Sequence, residues 1–424
     1  MRYSSKAIAL WLACICMLIP LLSSCGQTQS SSNGNTPQTL SILHITGKST
    51  PDGAQFQKIL HDFETQNHIT LNQTIAASDA PQVYETSLLA GKEADIVMVN
   101  LADKATNWSK QGSTIDVKDL VKQWGLADQI LPAAISEWTQ NGKLAAFPYN
   151  GFKWPVWYNM DLLKSVGVTK APTTIDELIT DGKKLHSAGK GGFVVGGNDW
   201  SGYTLFTQFM ESYMTQSDIA SAFSKGTFCS NADAMKGINL FIKIRDSDVF
   251  VKDVAGLKAD QMNSQFYTAG ASMMSAGSWA FAGASPELSK NVYLGGLPVP
   301  PDSPYTKPTA YQGYSSMGIW ISPNGQKHLD QVRKFVQYMF SPKVISVQVS
   351  KGMIPTVKNV QVDQKANPLL EQAANHLDER VTYLPPNTYV PGNVQQNLIQ
   401  ATGLAYTKGP GSTQICQALE GAYK

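Results

Sequence analysis

FPYNGFKWPVWYNMDLLKSVGVTKAPTTIDELI, residues 147 to 179, decides how this chain is organised. Pro148, Gly151 and Pro155 interrupt its first half, which is otherwise rich in Phe, Tyr, Trp and Val. Proline removes a backbone donor, and aromatic and β-branched residues favour extended chain, so this half predicts strand rather than helix. From about Met160 the sequence turns to Asp-Leu-Leu-Lys and leaves as a helix. Thr174 and Glu177 then stand three apart, the spacing of a capping box, in which each side chain satisfies an orphan backbone donor. Ile175, Leu178, Ile179 and Leu185 give the helix that follows its apolar face.

Upstream, TLSILHITG reads as a strand, and QFQKILHDFETQN carries Phe56, Ile59, Leu60 and Phe63 at helical spacing. DIVMVN, from Asp95, is a short apolar run suited to a buried parallel strand. Strand, helix and strand at these distances predict an α/β layer. Downstream, residues 204–273 read mostly as helix, whereas MMSAGSWAF and NVYLGGLPVP read as strands. GYSSMGIWISPNG is a strand and turn, and Leu329, Val332, Phe335, Val336 and Met339 mark a further amphipathic helix. From about Pro368 helix and loop are expected, and no internal repeat is visible.

The N-terminus has a different character. Arg2 and Lys6 precede an apolar run from Ala7 to Leu22, which ends in Leu-Ser-Ser-Cys. A run of about 16 residues broken by Pro20 is short for a spanning helix of ~20 but suits an export signal, expected over residues 1–24. Leu22 to Cys25 resembles a lipoprotein processing site, which makes Cys25 the expected lipid-bearing residue. Residues 25–38 are polar and low in apolar side chains, and read as a flexible tether. Two acyl chains give stable anchoring where one does not. Cys14 and Cys16 leave with the signal, so Cys229 and Cys416 remain, either as a disulfide or as two separate buried thiols.

Without Arg2 and Lys6 the 34 basic residues fall to 32, against 32 acidic ones. That balance gives no support to nucleic-acid binding. No GxSxG or GxxxxGK[ST] occurs, and the six histidines show no metal-ligand spacing, so neither a catalytic centre, a cofactor nor a metal is assigned. The acidic residues are scattered, and no carboxylate pair of a glycosidase is singled out. Aromatic residues are plentiful by contrast, with nine Trp and sixteen Tyr. Several Trp stand beside glycine or small polar residues: Asn198-Asp199-Trp200-Ser201-Gly202, Gly277-Ser278-Trp279 and Lys153-Trp154-Pro155. Aromatic faces suit the C–H faces of a sugar, with polar neighbours for its hydroxyls. Core packing accounts for most individual aromatic residues.

The order of segments resembles family 1 extracellular solute-binding proteins of ABC importers, the maltose-binding type. The resemblance is carried by GKEADIVMVN, by the 147–179 stretch, by AGASMMSAGSWAF, and by YLGGLPVP followed by GYSSMGIWISPN and SPKVISVQVSKGMIPT. NLADKATNWSKQG departs from it, being more polar than the family's loop at that place. The resemblance implies an α/β, two-lobe periplasmic-binding-protein fold of type II. Lobe 1 is expected over 39–148 with 285–340, and lobe 2 over 149–284 with 341–424. The chain would cross near residues 147–151, 279–291 and 339–344.

The implied function is capture of a mono- or oligosaccharide between the lobes and delivery to the transmembrane permease subunits. The protein would act as a monomer, lipid-anchored outside the cell membrane, and would make and break no bonds. The expected contacts are Lys48, Asn100, Asp103, Tyr149, Asn150, Asn198, Asp199, Trp200, Trp279, Tyr311, Tyr314 and Tyr389, with Trp154 as hinge support. A surface glycoside-active enzyme, a sensor of the same fold, and a binder of a polyol or glycerophosphodiester are the competing readings.

Overall fold

The computed structural model describes residues 38–48, 53–76, 79–101, 108–360, 368–376, 381–383 and 385–424. The signal segment, Cys25, all but the last residue of the tether, and Asp103 lie outside them. The strands are β1 Gln38–His44, β2 Ile69–Ile75, β3 Ile96–Val99, β4 Thr139–Gln140, β5 Lys143–Leu144, β6 Phe147–Trp154 and β7 Val156–Asn159. They continue with β8 Phe193–Val194, β9 Met273–Ser275, β10 Val292–Gly295, β11 Thr309–Ile321, β12 Ile354–Pro355 and β13 Val381–Tyr383. A seven-stranded sheet has the order β12-β6-β11-β3-β1-β2, with β13 paired to β11; β10-β7-β9-β8 form a second sheet, and β4-β5 a small hairpin.

The first sheet begins as expected. β1 pairs in parallel with both β2 and β3, and helix Gly53–Asn67 crosses over between β1 and β2. Its Phe56, Ile59, Leu60 and Phe63 are all buried. Every residue of β3 is buried, as a parallel strand covered on both faces requires. Asp95, just ahead of β3, accepts from the Ser41 amide at 2.7 Å and from Asn324 Nδ2 at 3.0 Å. One buried carboxylate thereby ties β1, β3 and the turn after β11.

The 147–179 stretch joins the sheets. β6 lies in the seven-stranded sheet, Pro155 follows, and β7 lies in the four-stranded one. Asn159 caps helix Met160–Lys164, and Thr174 with Glu177 forms the expected capping box on helix Ile175–Ser187. β11 is the second long strand of this junction. Its register against β6 shifts between Gly313 and Met317, where a bulge re-aims the strand. Gly151 faces that bulge, and a Cβ there would come within 2.8 Å of the Gly313 carbonyl oxygen.

Three expectations change. MMSAGSWAF is strand only over β9, and Ser278–Gly283 turns as a 3-10 helix. The return crossing does not fall at 279–291: β10 pairs antiparallel with β7 across Val292–Gly295, so the segment expected in lobe 1 begins in the second sheet. Nor does the chain leave the first sheet at 339–344. β12 pairs with Gly151 and Asn150, and Thr356 Oγ1 donates to the Pro148 carbonyl at 2.8 Å. Helix Pro368–His376 then sits at β10, where the Gln372 carboxamide accepts from Leu294 N at 3.0 Å and donates to Val292 O at 2.9 Å.

The two remaining cysteines are joined. Cys229 and Cys416 form a disulfide with a Cα–Cα separation of 5.2 Å, spanning 187 residues of sequence. It fastens the C-terminal helix Ser412–Gly421 to the turn before helix Ala232–Arg245, beside Glu420, whose Oε1 accepts from Phe228 N and Cys229 N.

Candidate ligand-binding site

Side chains alternate along a strand, so Asn150, Phe152 and Trp154 share one face of β6. Trp154 is the centre of an aromatic cluster. Its ring lies 5.0 Å from Trp279, 5.5 Å from Trp200 and 6.5 Å from Tyr311, each edge to face. Trp200 and Trp279 are themselves 6.0 Å apart. Edge-to-face contact is the arrangement the ring quadrupoles favour. Four segments distant in sequence therefore bring their aromatics together where β6 passes into β7.

Each member is held by its own local structure. Trp154 donates its indole N–H to Ser275 Oγ at 3.2 Å, which fixes the ring on β9. Trp200 opens helix Trp200–Glu211, and Asp199 before it is the N-cap, accepting from Ser201 N at 2.9 Å. Trp279 sits in the 3-10 turn and lies over Gly277, where a Cβ would fall 2.2 Å from the ring. Only glycine leaves that space. Tyr311, on β11, is buried and donates to Glu211 Oε2 at 2.6 Å. Burial holds the Glu211 carboxyl well above the usual carboxylate range, with the Tyr311 hydrogen bond opposing. Burial therefore favours the protonated form of the group behind the cluster.

Exposure separates the tryptophans. Trp154 is 7% exposed and Trp200 37%. Trp279 is half-buried, and no hydrogen bond to a described residue holds the indole N–H of Trp200 or Trp279. Asn150 adds a polar group on the face that carries Trp154. Its Oδ1 is shut off from solvent and has no hydrogen-bond partner among the described residues.

The other expected contacts divide. Tyr314 lies over Gly151, its amide donating to Glu137 Oε2 at 2.7 Å. Asn100 ends β3 half-buried, and Leu101 after it donates to Ser315 O at 3.2 Å, which sets Asn100 beside the bulge in β11. Tyr149 points to the opposite face of β6 from Trp154, is fully buried, and packs 5.7 Å from Phe340. Burial raises its phenol well above the ordinary value. Asp199 is occupied by its capping role and by Ala259 N at 2.6 Å. Asn198 is exposed, with its amide bound to Leu257 O, and Lys48 is exposed in the loop after β1. The Tyr389 hydroxyl accepts from Gln216 Nε2 at 2.8 Å, which ties it to helix Gln216–Lys225. Trp154, read from sequence as hinge support, is instead the member that touches all the others. Its place on the Asn150 face was the available signal.

Among the described residues no group of three or more His, Cys, Asp or Glu side chains could hold a metal ion. The surroundings of the cluster are apolar rings with a few polar groups. Such a surface can pack against a ring and hydrogen-bond its edge.

A family model for bacterial extracellular solute-binding proteins matches residues 47–345, and this chain belongs to that family. A curated relative, the multiple sugar-binding protein of Streptococcus mutans, is 23% identical over 356 residues, 82% of this chain and 81% of that one. Among solved structures, a probable secreted solute-binding lipoprotein from Streptomyces coelicolor is 36% identical, with a TM-score of 0.77 over 92% of this chain and 99% of the other. A chitin oligosaccharide binding protein shares the fold at a TM-score of 0.80 and 20% identity, over 90% of this chain and 97% of that one. The fold is the two-lobe α/β architecture of maltose-binding-type proteins. Membership of an extracellular family places the chain outside the cytoplasm, and among the described residues no helix is long and apolar enough to cross a membrane.

Proposed function

We infer that this protein is the binding component of an ABC importer, and that it captures a neutral mono- or oligosaccharide against Trp154, Trp200 and Trp279. The observation that carries this reading is the half-exposed tryptophan cluster at the junction of the two sheets. Sugar binding in the Streptococcus mutans relative supports it. One lobe is built around the seven-stranded sheet and the other around the four-stranded sheet. The chain passes between them at Pro155 and between β10 and β11, and beyond β12 it touches both, with helix Pro368–His376 at β10 and β13 on the start of β11. Closure of the lobes on the sugar presents the loaded form to the permease. Asn150, Asn100 and Tyr314 supply polar contacts from the junction. Lys48 and Asn198 belong to loops that closure would bring toward the ligand, whereas Asp199, Tyr149, Tyr311 and Tyr389 shape the site from behind; Asp103 stays a contact implied by the family resemblance alone.

Cys25 carries the lipid that holds the protein at the membrane, and residues 25–38 are its tether. The lipobox-like Leu-Ser-Ser-Cys supports this, as does the description of the Streptomyces coelicolor relative as a lipoprotein. The binding protein acts as a monomer and leaves its ligand intact. Isothermal calorimetry against maltose, raffinose, chitotriose and their monosaccharides tests the reading, with chromatography of the sugar afterwards. Saturable heat with the sugar recovered unchanged is expected. No heat with any sugar sinks the carbohydrate assignment, and a cleaved product makes the protein an enzyme.

A further inference from the structure

Helix Ala259–Tyr267 is pinned at its two ends to the segments that bear the open tryptophans. At its start the Ala259 amide donates to Asp199 Oδ2 at 2.6 Å, one residue before Trp200. At its end the Tyr267 hydroxyl donates to Ala280 O at 2.6 Å, one residue after Trp279. Residues four apart lie one above the other on a helix, so 259, 263 and 267 form one row. Asn263 stands midway along that row, between the anchor beside Trp200 and the anchor beside Trp279. Its Oδ1 is shut off from solvent and has no hydrogen-bond partner among the described residues. Its neighbours Met262 and Phe266 are buried apolar side chains that can offer it no donor.

A carboxamide oxygen in that state is a penalty that folded chains seldom keep unless something supplies the missing donor. We propose that Asn263 is a specificity-determining residue of the site: on binding, its carboxamide turns out of its closed position and accepts a hydrogen bond from a hydroxyl of the sugar ring that packs against Trp200 and Trp279. The assignment rests on the carbohydrate reading above and sharpens it. A ring that lacks that hydroxyl, or presents a carboxylate or phosphate oxygen there, leaves the Asn263 oxygen unpaired or faces it with a second acceptor. The favoured ligand is therefore a neutral sugar with a free hydroxyl at that position. The sequence offers no signal for it, since Asn263 sits in ADQMNSQFY, an ordinary amphipathic helix.

The test uses the whole protein, the Asn263→Leu, Asn263→Ala and Trp279→Ala variants, and calorimetry with maltose, raffinose and chitotriose. Whichever sugar binds is then compared with its monodeoxy analogues. Wild type is expected to reject one analogue by about tenfold or more, because the site's own acceptor is then unpaired. Asn263→Leu should weaken the parent sugar by a similar factor and bind parent and analogue alike. Its melting temperature without sugar should hold or rise, since an unpaired buried acceptor has been removed. Asn263→Ala gives the same discrimination test should the larger side chain not fit. Unchanged affinity and unchanged discrimination in both variants overturn the assignment. If Trp279→Ala then still abolishes binding, the carbohydrate reading survives it; if wild type binds no sugar in the panel, both fall.

Discussion

Two groups of tryptophans share a geometry and differ in almost everything else. Trp108 and Trp138 each meet Trp320 at 5.5 Å, edge to face, inside the first sheet's core. All three are buried, and their indole N–H groups are taken: Trp108 by Glu85 Oε1 at 3.0 Å, Trp138 by Tyr314 O at 2.6 Å, Trp320 by Val99 O at 3.3 Å. Trp154, Trp200 and Trp279 meet at similar distances, yet only Trp154 has its N–H bound within the described chain. A sealed, satisfied indole contributes packing, whereas an open, unsatisfied one keeps a face and a donor for something else. Residue type and ring geometry alone do not separate core from site; satisfaction and exposure do.

The sharpest way to break that comparison is to truncate one member of each group. Trp320→Ala should destabilise the protein by about 3–5 kcal/mol, as loss of a buried large aromatic does, read as a fall in the denaturant midpoint. Trp279→Ala should cost stability no more than about 1 kcal/mol while weakening sugar affinity by about tenfold or more. Equal stability losses with equal affinities would erase the distinction. A second contrast lies in the C-terminal helix, which a covalent link fastens in addition to the packing of its buried Ile415 and Leu419. Cys229→Ser with Cys416→Ser should lower stability by about 2–4 kcal/mol, for a cross-link spanning so long a segment, with ligand affinity unchanged.

The buried acid behind the open group gives a pH test. Burial keeps Glu211 protonated in the folded chain at pH values where the unfolded chain has lost that proton. The native state then binds more protons than the unfolded state, so stability falls as pH rises above 4.5, the unperturbed value, until the folded carboxyl itself titrates. Glu211→Gln retains an acceptor for Tyr311 and removes the titration. The gap in melting temperature between variant and wild type should widen as pH rises above 5. A constant gap would place a charged Glu211 in the folded protein. The smallest effect is expected at the Thr174 cap, where Thr174→Ala should cost about 1 kcal/mol in thermal unfolding and leave the site untouched.

Local signals carried far into this fold. The Thr174 to Glu177 spacing specified a helix start and the apolar run of β3 a buried strand, whereas the crossing expected at 147–151 lies within β6, which stays in the first sheet to Trp154. Interrupted patterns carried less. NVYLGG reads equally well as strand in either sheet, and only its pairing with β7 settles the matter. In MMSAGSWAF the strand stops at Ser275, because Trp279 must turn back over Gly277. Of the candidate site, Trp200 and Trp279 stand out in sequence by their small and polar neighbours, but that they meet in one cluster does not. Tyr149 was misleading because one step along β6 turns its ring to the other face, against Phe340. Asn263 and Glu211 were invisible, since what marks them is a missing partner and a depth of burial that only the assembled chain reveals.

The most direct test of the central claim is tryptophan emission during titration with the sugar that binds, in wild type, in Trp200→Phe with Trp279→Phe, and in Trp320→Phe. A saturable change that disappears in the double variant and persists in Trp320→Phe is the predicted result. A change that persists undiminished without Trp200 and Trp279 would contradict the account, because the ligand would then be recognised elsewhere on the molecule.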